Sequence, residues 1–321
     1  MSNANNAADT HAIEVRELSR SFHGTRALDH VTLNVPRGSV FGLVGLNGAG
    51  KTTLVQHIMG SLRALHGSVM VLGQDPTVEP ERLLARLGYM SEEDSLPGWM
   101  RVGDLLDFCR SVYPTWSNTY AAELCELFSL APDSRLSSLS KGGRARAALL
   151  AAIAHRPELL ILDEPSSGLD PLARADILEA IIRTVADEGR TVLFSSHLLD
   201  EIDRVCDTIA LLHQGRLLET VAPQQIGERY VECVFATESP STPPPQISAS
   251  FGGVRKGHEW SVIVDQQAGD HQATVTELQS GNASWHLIRR SGASVHRWFT
   301  ARVQLPVDAS LVGSVGGIEH V

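Results

Sequence analysis

Asp163 and Glu164 stand side by side at the end of the apolar run Leu159-Leu160-Ile161-Leu162, and Pro165 follows them. Two like charges in one dry place repel, unless a cation neutralises one and leaves the other for proton or water chemistry. The run before them lacks the alternation of a half-exposed strand. It therefore reads as a strand covered on both faces, in a parallel sheet flanked by helices. Ligands bind at the carboxyl edge of such sheets.

The matching anion site lies upstream. Gly45, Leu46, Asn47, Gly48, Ala49, Gly50, Lys51 and Thr52, with Thr53 next, satisfy G-x-x-x-x-G-K-[ST]. The stretch falls between an apolar strand, Ser39 to Leu43, and a segment in which Leu54, His57, Ile58 and Leu62 have helical spacing. Glycines let backbone N–H groups turn inward around phosphates, and the helix N-terminus adds its positive dipole end. Lys51 is then the residue for the β and γ phosphates, and the Thr52 hydroxyl a ligand of Mg²⁺. Asp163 would hold the same Mg²⁺ through its water shell, and Glu164 would polarise the water that attacks the γ-phosphate. No N-K-x-D guanine motif occurs.

The elements that must position these groups alternate in type. Ile13 to Leu18 and Ala27 to Val35 alternate apolar with polar residues as strands do, and Val69–Leu72 and Leu87–Met90 read as further short strands. Residues 99 to 131 carry helical spacing in two runs, Val102, Leu105, Leu106, Cys109 and then Ala122, Leu124, Leu127, Phe128, with Pro114 between them. An Ala-rich helix is expected from Ser140 to His155. Beyond the acidic pair come a helix (Pro171 to Glu188), a strand (Thr191 to Ser195), a helix (Leu198 to Arg204) and a strand (Thr208 to Leu212). That order predicts an α/β fold built on a parallel sheet. The expected organisation is a disordered tail (1–11), a nucleotide-binding domain (12–222) with a helical insert at about 95–140, and a small α+β accessory domain (223–321). The last contains a Pro/Ser-rich loop at 238–246, strand-like runs at Tyr230–Phe235 and Trp260–Val264, and Trp260, Trp285 and Trp298 as core.

Composition narrows the partners. With 27 basic and 37 acidic residues the net charge is -10, so no nucleic-acid partner is expected from a bulk positive field. Only Lys51, Lys141 and Lys256 are lysines. The four cysteines form no C-x-x-C pair and read as reduced thiols. The amino end has neither the basic start nor the apolar centre of a signal peptide, and no run of about 18 apolar residues occurs to span a membrane. The Asn282-Ala283-Ser284 sequon has no weight without a secretory route.

Two further motifs bracket the acidic pair: "LSKGGRARAALL" from Leu139 before it and "FSSHLL" after it. With these the chain resembles the ATP-binding subunits of ABC transporters, over about residues 12 to 222. The resemblance implies a P-loop NTPase of ABC ATPase type, with ATP and Mg²⁺ as cofactors. It implies that Ser140, Lys141, Gly142 and Gly143 open a helix whose N-terminus meets the γ-phosphate bound by the opposite subunit. Lys141 replaces the family's first glycine there and Gly143 its final Gln. The S-K-G form and Tyr113-Pro114-Thr115-Trp116 resemble transporters of the bacterial exporter type.

Further roles follow from the same resemblance. Phe22 matches the aromatic that stacks on adenine, and Asp170, in Ser167-Gly168-Leu169-Asp170, matches the loop that crosses the dimer interface. His197 matches the histidine that touches the γ-phosphate. Glu92, in "RLGYMSEED", stands where the family usually has a Gln facing the metal and the attacking water; Glu93 and Asp94 extend that acidic loop. Glu164, His197 and Glu92 are thus the expected catalytic residues, and Thr52, Asp163 and Glu92 the expected metal ligands. The implied partners are a separately encoded transmembrane permease and a second ATPase subunit, identical or not, in a head-to-tail dimer. The implied location is the cytoplasmic face of the cell membrane. The alternative is a soluble ABC-type ATPase serving as a nucleotide sensor or acting on ribosomes or DNA. Arg144, Arg146 and the pair Arg289-Arg290 read as solvated charges.

Overall fold

A computed structural model describes residues 10–93, 95–186, 189–239, 241–268 and 285–304, with 185 and 186 by backbone alone. Asp94, the 282–284 sequon, Glu188 and most of the expected tail (residues 1–9) lie outside the described residues. The chain divides into two compact units, one ending at Ala222 and one beginning at Pro223.

The first unit contains two sheets. Strands β1 (His11–Phe22) and β2 (Thr25–Pro36) form a hairpin, and β4 (His66–Val71) pairs antiparallel with β1, giving the order β2-β1-β4. Alternation decides which face of β2 is covered: Leu33, Val31 and Val35 are buried, while Thr32, Asn34 and His30 between them are exposed. His11, expected in the tail, already belongs to β1 and pairs with Pro36.

The second sheet has the order β5-β6-β7-β3-β8-β9. Strands β3 (Val40–Val44), β5 (Leu87–Met90), β6 (Leu159–Asp163), β7 (Thr191–Ser196) and β8 (Thr208–His213) are parallel. The edge strand β9 (Arg216–Val221) runs antiparallel to β8 and has no counterpart in the sequence reading. β3, β6 and β7 are buried at every position, as their unbroken apolar runs require. Register places the site: Val44 pairs with Ser196 and Asp163 with Ser195. The turn after β3, the acidic pair after β6 and His197 after β7 therefore leave the sheet at one edge.

Apolar side chains of both sheets belong to one core, among them Ile13, Val15, Leu33, Leu43, Ile161 and Leu193, together with Leu54 and Ile58. Each such side chain contributes roughly 1.5–3 kcal/mol by leaving water. Helix α1 (Lys51–Ile58) follows β3, and the short α2 (Pro80–Leu84) precedes β5. The helical insert consists of α3 (Val102–Val112) and α4 (Asn118–Leu127). Tyr113 ends α3 in extended backbone, as a residue before proline must, and the Ser117 hydroxyl starts α4 by accepting from the Tyr120 N–H. Helices α5 (Lys141–Ile153), α6 (Pro171–Ala186) and α7 (Leu199–Val205) complete the unit.

The second unit is α+β. Its antiparallel sheet has the order β11-β12-β10-β13, from β10 (Tyr230–Ala236), β11 (Ser250–Lys256), β12 (Glu259–Asp265) and β13 (His286–Gly292). The sequence reading contains β10 and β12 but not β11 or β13. Helix α8 (Pro223–Arg229) opens the unit, and a helix at Val295–Val303 is the last described element. Trp260, Trp285 and Trp298 are all buried, with Trp260 and Trp285 in one apolar cluster. Arg289 is not simply solvated, since its guanidinium lies 3.5 Å from Glu232.

Candidate functional site

The phosphate cradle is a matter of backbone shape. Gly48 and Gly50 have φ of 78° and 108°, left-handed values that favour glycine. A Cβ on Gly45 would run into the Leu212 carbonyl of β8, and one on Gly50 into the carbonyl of Ala27. Substituents there would push the turn off the neighbouring strands. No side chain caps α1, whose first-turn N–H groups have no intrahelical partner and open toward the cradle. Ala27, Asn47, Gly48, Ala49, Gly50, Lys51, Thr52, Thr53, Glu92 and Glu164 line a cavity of about 340 Å³ at this point.

Inside it the charges are shared out. The buried Lys51 Nζ donates to the Gly45 carbonyl at 2.7 Å and lies 3.1 Å from Glu164 Oε1. That oxygen is buried and has no other partner among the described residues. Glu164 Oε2 is 2.6 Å from His197 Nδ1 and accepts from the His197 N–H at 3.3 Å. Glu164 is thus clamped between the cradle lysine and the residue after β7, and its own backbone is left-handed at φ 51°. Asp163, wholly buried, accepts from Ser195 Oγ at 2.6 Å, and the same hydroxyl accepts from the Glu164 N–H at 3.0 Å.

The donors suit the cofactors. Phosphates fit a cradle of N–H groups with a buried cation in it. For the metal, Thr52 brings a hydroxyl to the cavity wall, while the Asp163 carboxylate lies buried behind that wall on Ser195; both are hard oxygen donors, and no cluster of three or more His, Cys, Asp or Glu occurs among the described residues. A cation that keeps water and takes phosphate oxygens needs no more, which is the behaviour of Mg²⁺. Glu92 is exposed and lines the same cavity.

Not every expected residue meets there. Phe22 is outside the cavity wall, 37% exposed, with the Arg20 guanidinium 4.8 Å from its ring centre. Leu46 is exposed, while its carbonyl accepts from Lys51 at 3.4 Å. Ser140, Lys141, Gly142 and Gly143 do not line the cradle of their own chain. Ser140 caps α5, accepting from the Gly143 N–H at 3.1 Å. Gly142 has no room for a Cβ beside Ala173 of α6, and Lys141 reaches over Gly168. Asp170 has a local role that the sequence reading missed: its carboxylate accepts from the N–H groups of Leu172 and Ala173 and starts α6. The bond from Ala173 leads the effects that hold its pKa below the ordinary value. Asp immediately before Pro was the available signal.

Two arginines expected to be solvated are not. Arg144 donates to the Leu96 carbonyl at 2.6 Å, tying α5 to the loop before the insert, and Arg146 pairs with Asp176 of α6 at 2.6 Å. A groove between insert and core runs past Tyr89, Glu92, Phe108, Lys141, Arg144 and Glu164. Ser195, Ser166, Ser196, Glu201 and Arg174 pack around the acidic pair or its flanks, and nothing in the sequence pattern marks Glu201 or Arg174.

A glycine cradle between β3 and α1, an acidic pair on the adjoining parallel strand and a helical insert define an ATP-hydrolysing P-loop NTPase of the ABC ATPase type. A family model described as ABC transporter matches residues 28–167, and one described as AAA domain, putative AbiEii toxin, Type IV TA system matches residues 133–203. The chain is 30% identical over 227 residues to the ABC transporter ATP-binding protein YtrB of Bacillus subtilis (strain 168), covering 71% of this chain and 77% of YtrB. It is 38% identical over 221 residues to the daunorubicin/doxorubicin resistance ATP-binding protein DrrA of Streptomyces peucetius, covering 66% of each. A solved ATP-binding subunit of an ABC transporter superposes with a TM-score of 0.62 at 30% identity, over 68% of this chain and 92% of that one. The chain belongs to the ATP-binding proteins of ABC transporters.

Proposed function

We propose that this chain powers transport across a membrane through a separately encoded transmembrane partner, closing head to tail with a second cassette around ATP. The observation that carries the reading is the clamp on Glu164, held at once by Lys51 of the cradle and by His197 of the next strand. Lys51 binds phosphate oxygens once they compete for its ammonium, and Glu164 Oε1 is then free to accept a proton from water. His197 keeps the carboxylate aimed and presents its ring at the same edge. Thr52 and Asp163 would hold Mg²⁺, with Glu92 facing it from the cavity wall; the ion, when bound, offsets phosphate charge. Phe22 would stack on the base. Ser140, Lys141, Gly142 and Gly143 would serve the partner's nucleotide, and Asp170 would lie at that interface.

A separate membrane partner accords with there being no helix among the described residues long and apolar enough to cross a membrane. Attachment to that partner would place the chain at the inner face of the cell membrane. Export is the direction favoured by the relatives, which include a Nod factor export ATP-binding protein of Neorhizobium galegae.

The test is Glu164→Gln in the full chain. Hydrolysis should fall by roughly 10²–10⁴-fold while nucleotide is retained, since an amide cannot take the proton. Light scattering should then show a doubled mass with Mg-ATP and a monomer without it. A monomer under both conditions with undiminished turnover overturns the proposal. Lys51→Ala should lose tight nucleotide binding.

A further inference from the structure

Glu201 lies in the first turn of α7, 3% exposed, beside the site, with bonds to Ser166, Ser196 and Arg174 and none to the residues assigned to nucleotide. Its Oε2 accepts from Ser166 Oγ at 2.6 Å and from Ser196 Oγ at 3.2 Å. Its Oε1 faces Arg174 of α6 at 3.1 Å. The two hydroxyls come from different segments. Ser166 is two residues past Glu164, in a turn where the Ser167 N–H also bonds back to the Glu164 carbonyl. Ser196 is the last residue of β7, immediately before His197, and its oxygen accepts from the Leu198 N–H at 3.0 Å.

One carboxylate oxygen therefore holds the flanks of both partners of the 2.6 Å contact between Glu164 and His197. The arrangement is costly unless it is used. A buried carboxylate needs its partners, and here a partly exposed arginine supplies the opposite charge while two small hydroxyls supply the geometry. Neither hydroxyl is free to drift without breaking a bond to the same oxygen. We propose that Glu201 is a positioning residue for hydrolysis: through Ser166 and Ser196 it sets the spacing between the Glu164 carboxylate and the His197 ring. The inference rests on Glu164 and His197 acting together on the γ-phosphate.

The consequence is a defect in turnover without a defect in binding. Glu201→Ala in the full chain should lower kcat roughly ten- to hundredfold, the effect of misplacing a reacting group by about 1 Å, with KM for Mg-ATP unchanged. Glu201→Gln keeps a carbonyl oxygen for the hydroxyls and should recover most of that loss. A crystal structure of Glu201→Ala should show His197 Nδ1 and Glu164 Oε2 beyond hydrogen-bonding range, about 3.5 Å or more. Should Glu201→Ala fail to fold, the double variant Ser166→Ala, Ser196→Ala removes the same two bonds and leaves the pair with Arg174 intact; it should show the same split. Unchanged kcat in folded Glu201→Ala or in the double variant overturns the inference, as does a Gln variant no better than Ala or an unmoved Glu164–His197 contact. If the wild-type chain does not hydrolyse Mg-ATP, the reading of Glu164 and His197 fails instead, and the variant's geometry alone decides the role of Glu201.

Discussion

Among single residues, Glu92 puts a second carboxylate beside Glu164 in the wall of the cradle cavity. Its exposed carboxylate lines the cradle cavity, whereas Glu93, also exposed, lines only the groove beside it. A carboxylate facing a divalent cation attracts it, and an amide of the same shape does so less. Glu92→Gln should raise the Mg²⁺ concentration for half-maximal hydrolysis about 1.5- to 5-fold, the range of an exposed charge pair, and Glu93→Gln should leave it alone. Superimposable Mg²⁺ titrations would assign Glu92 to solvent. The cradle and the acidic pair were legible because their chemistry demands residue types at fixed spacing. The bonds from Ser195 to Asp163 and from Ser166 to Glu201 were not, because serine at a strand end or in a turn is ordinary: the register of β6 against β7 brings together the first pair, 32 positions apart, and the placing of α7 beside the turn after β6 the second, 35 apart.

At the scale of elements, α5 shows how one side chain can serve two needs. The Ser140 hydroxyl satisfies the Gly143 N–H and so starts the helix that opens with Lys141, Gly142 and Gly143. Ser140→Ala should destabilise the first unit by about 1 kcal/mol, and Ser140→Asp should restore most of that, read from urea midpoints at constant slope. An Ala variant as stable as wild type would mean that packing of Gly142 against α6 holds the helix start unaided. Elements with long apolar runs or clear helical spacing were legible, among them β3, β6, β7 and α5. β9, β11 and β13 escaped because they alternate weakly or are exposed: β13 is exposed at all seven positions, so no periodic burial marks it.

The whole molecule divides its reporters unevenly between its two units. All three buried tryptophans belong to the second, while Trp99 and Trp116 of the first are exposed or half-buried. Nucleotide stabilises only the state that binds it, by about 2.7 kcal/mol at a hundred times Kd. Mg-ATP should therefore raise the calorimetric transition of the first unit and leave the transition followed by buried tryptophan emission in place. A common shift of both would show that the units unfold as one. The order β5-β6-β7-β3-β8-β9 has a consequence for the newborn chain. β1, β2 and β4 can pair within the first 71 residues, but β3 finds its neighbours only at residues 191–196 and 208–213. At about 5–20 residues per second, a buried strand and the loop after it wait roughly 8–34 s on the ribosome for the rest of their sheet. Until then the molecule has its antiparallel face and no catalytic edge, and β3 is the segment that a chaperone would have most reason to hold.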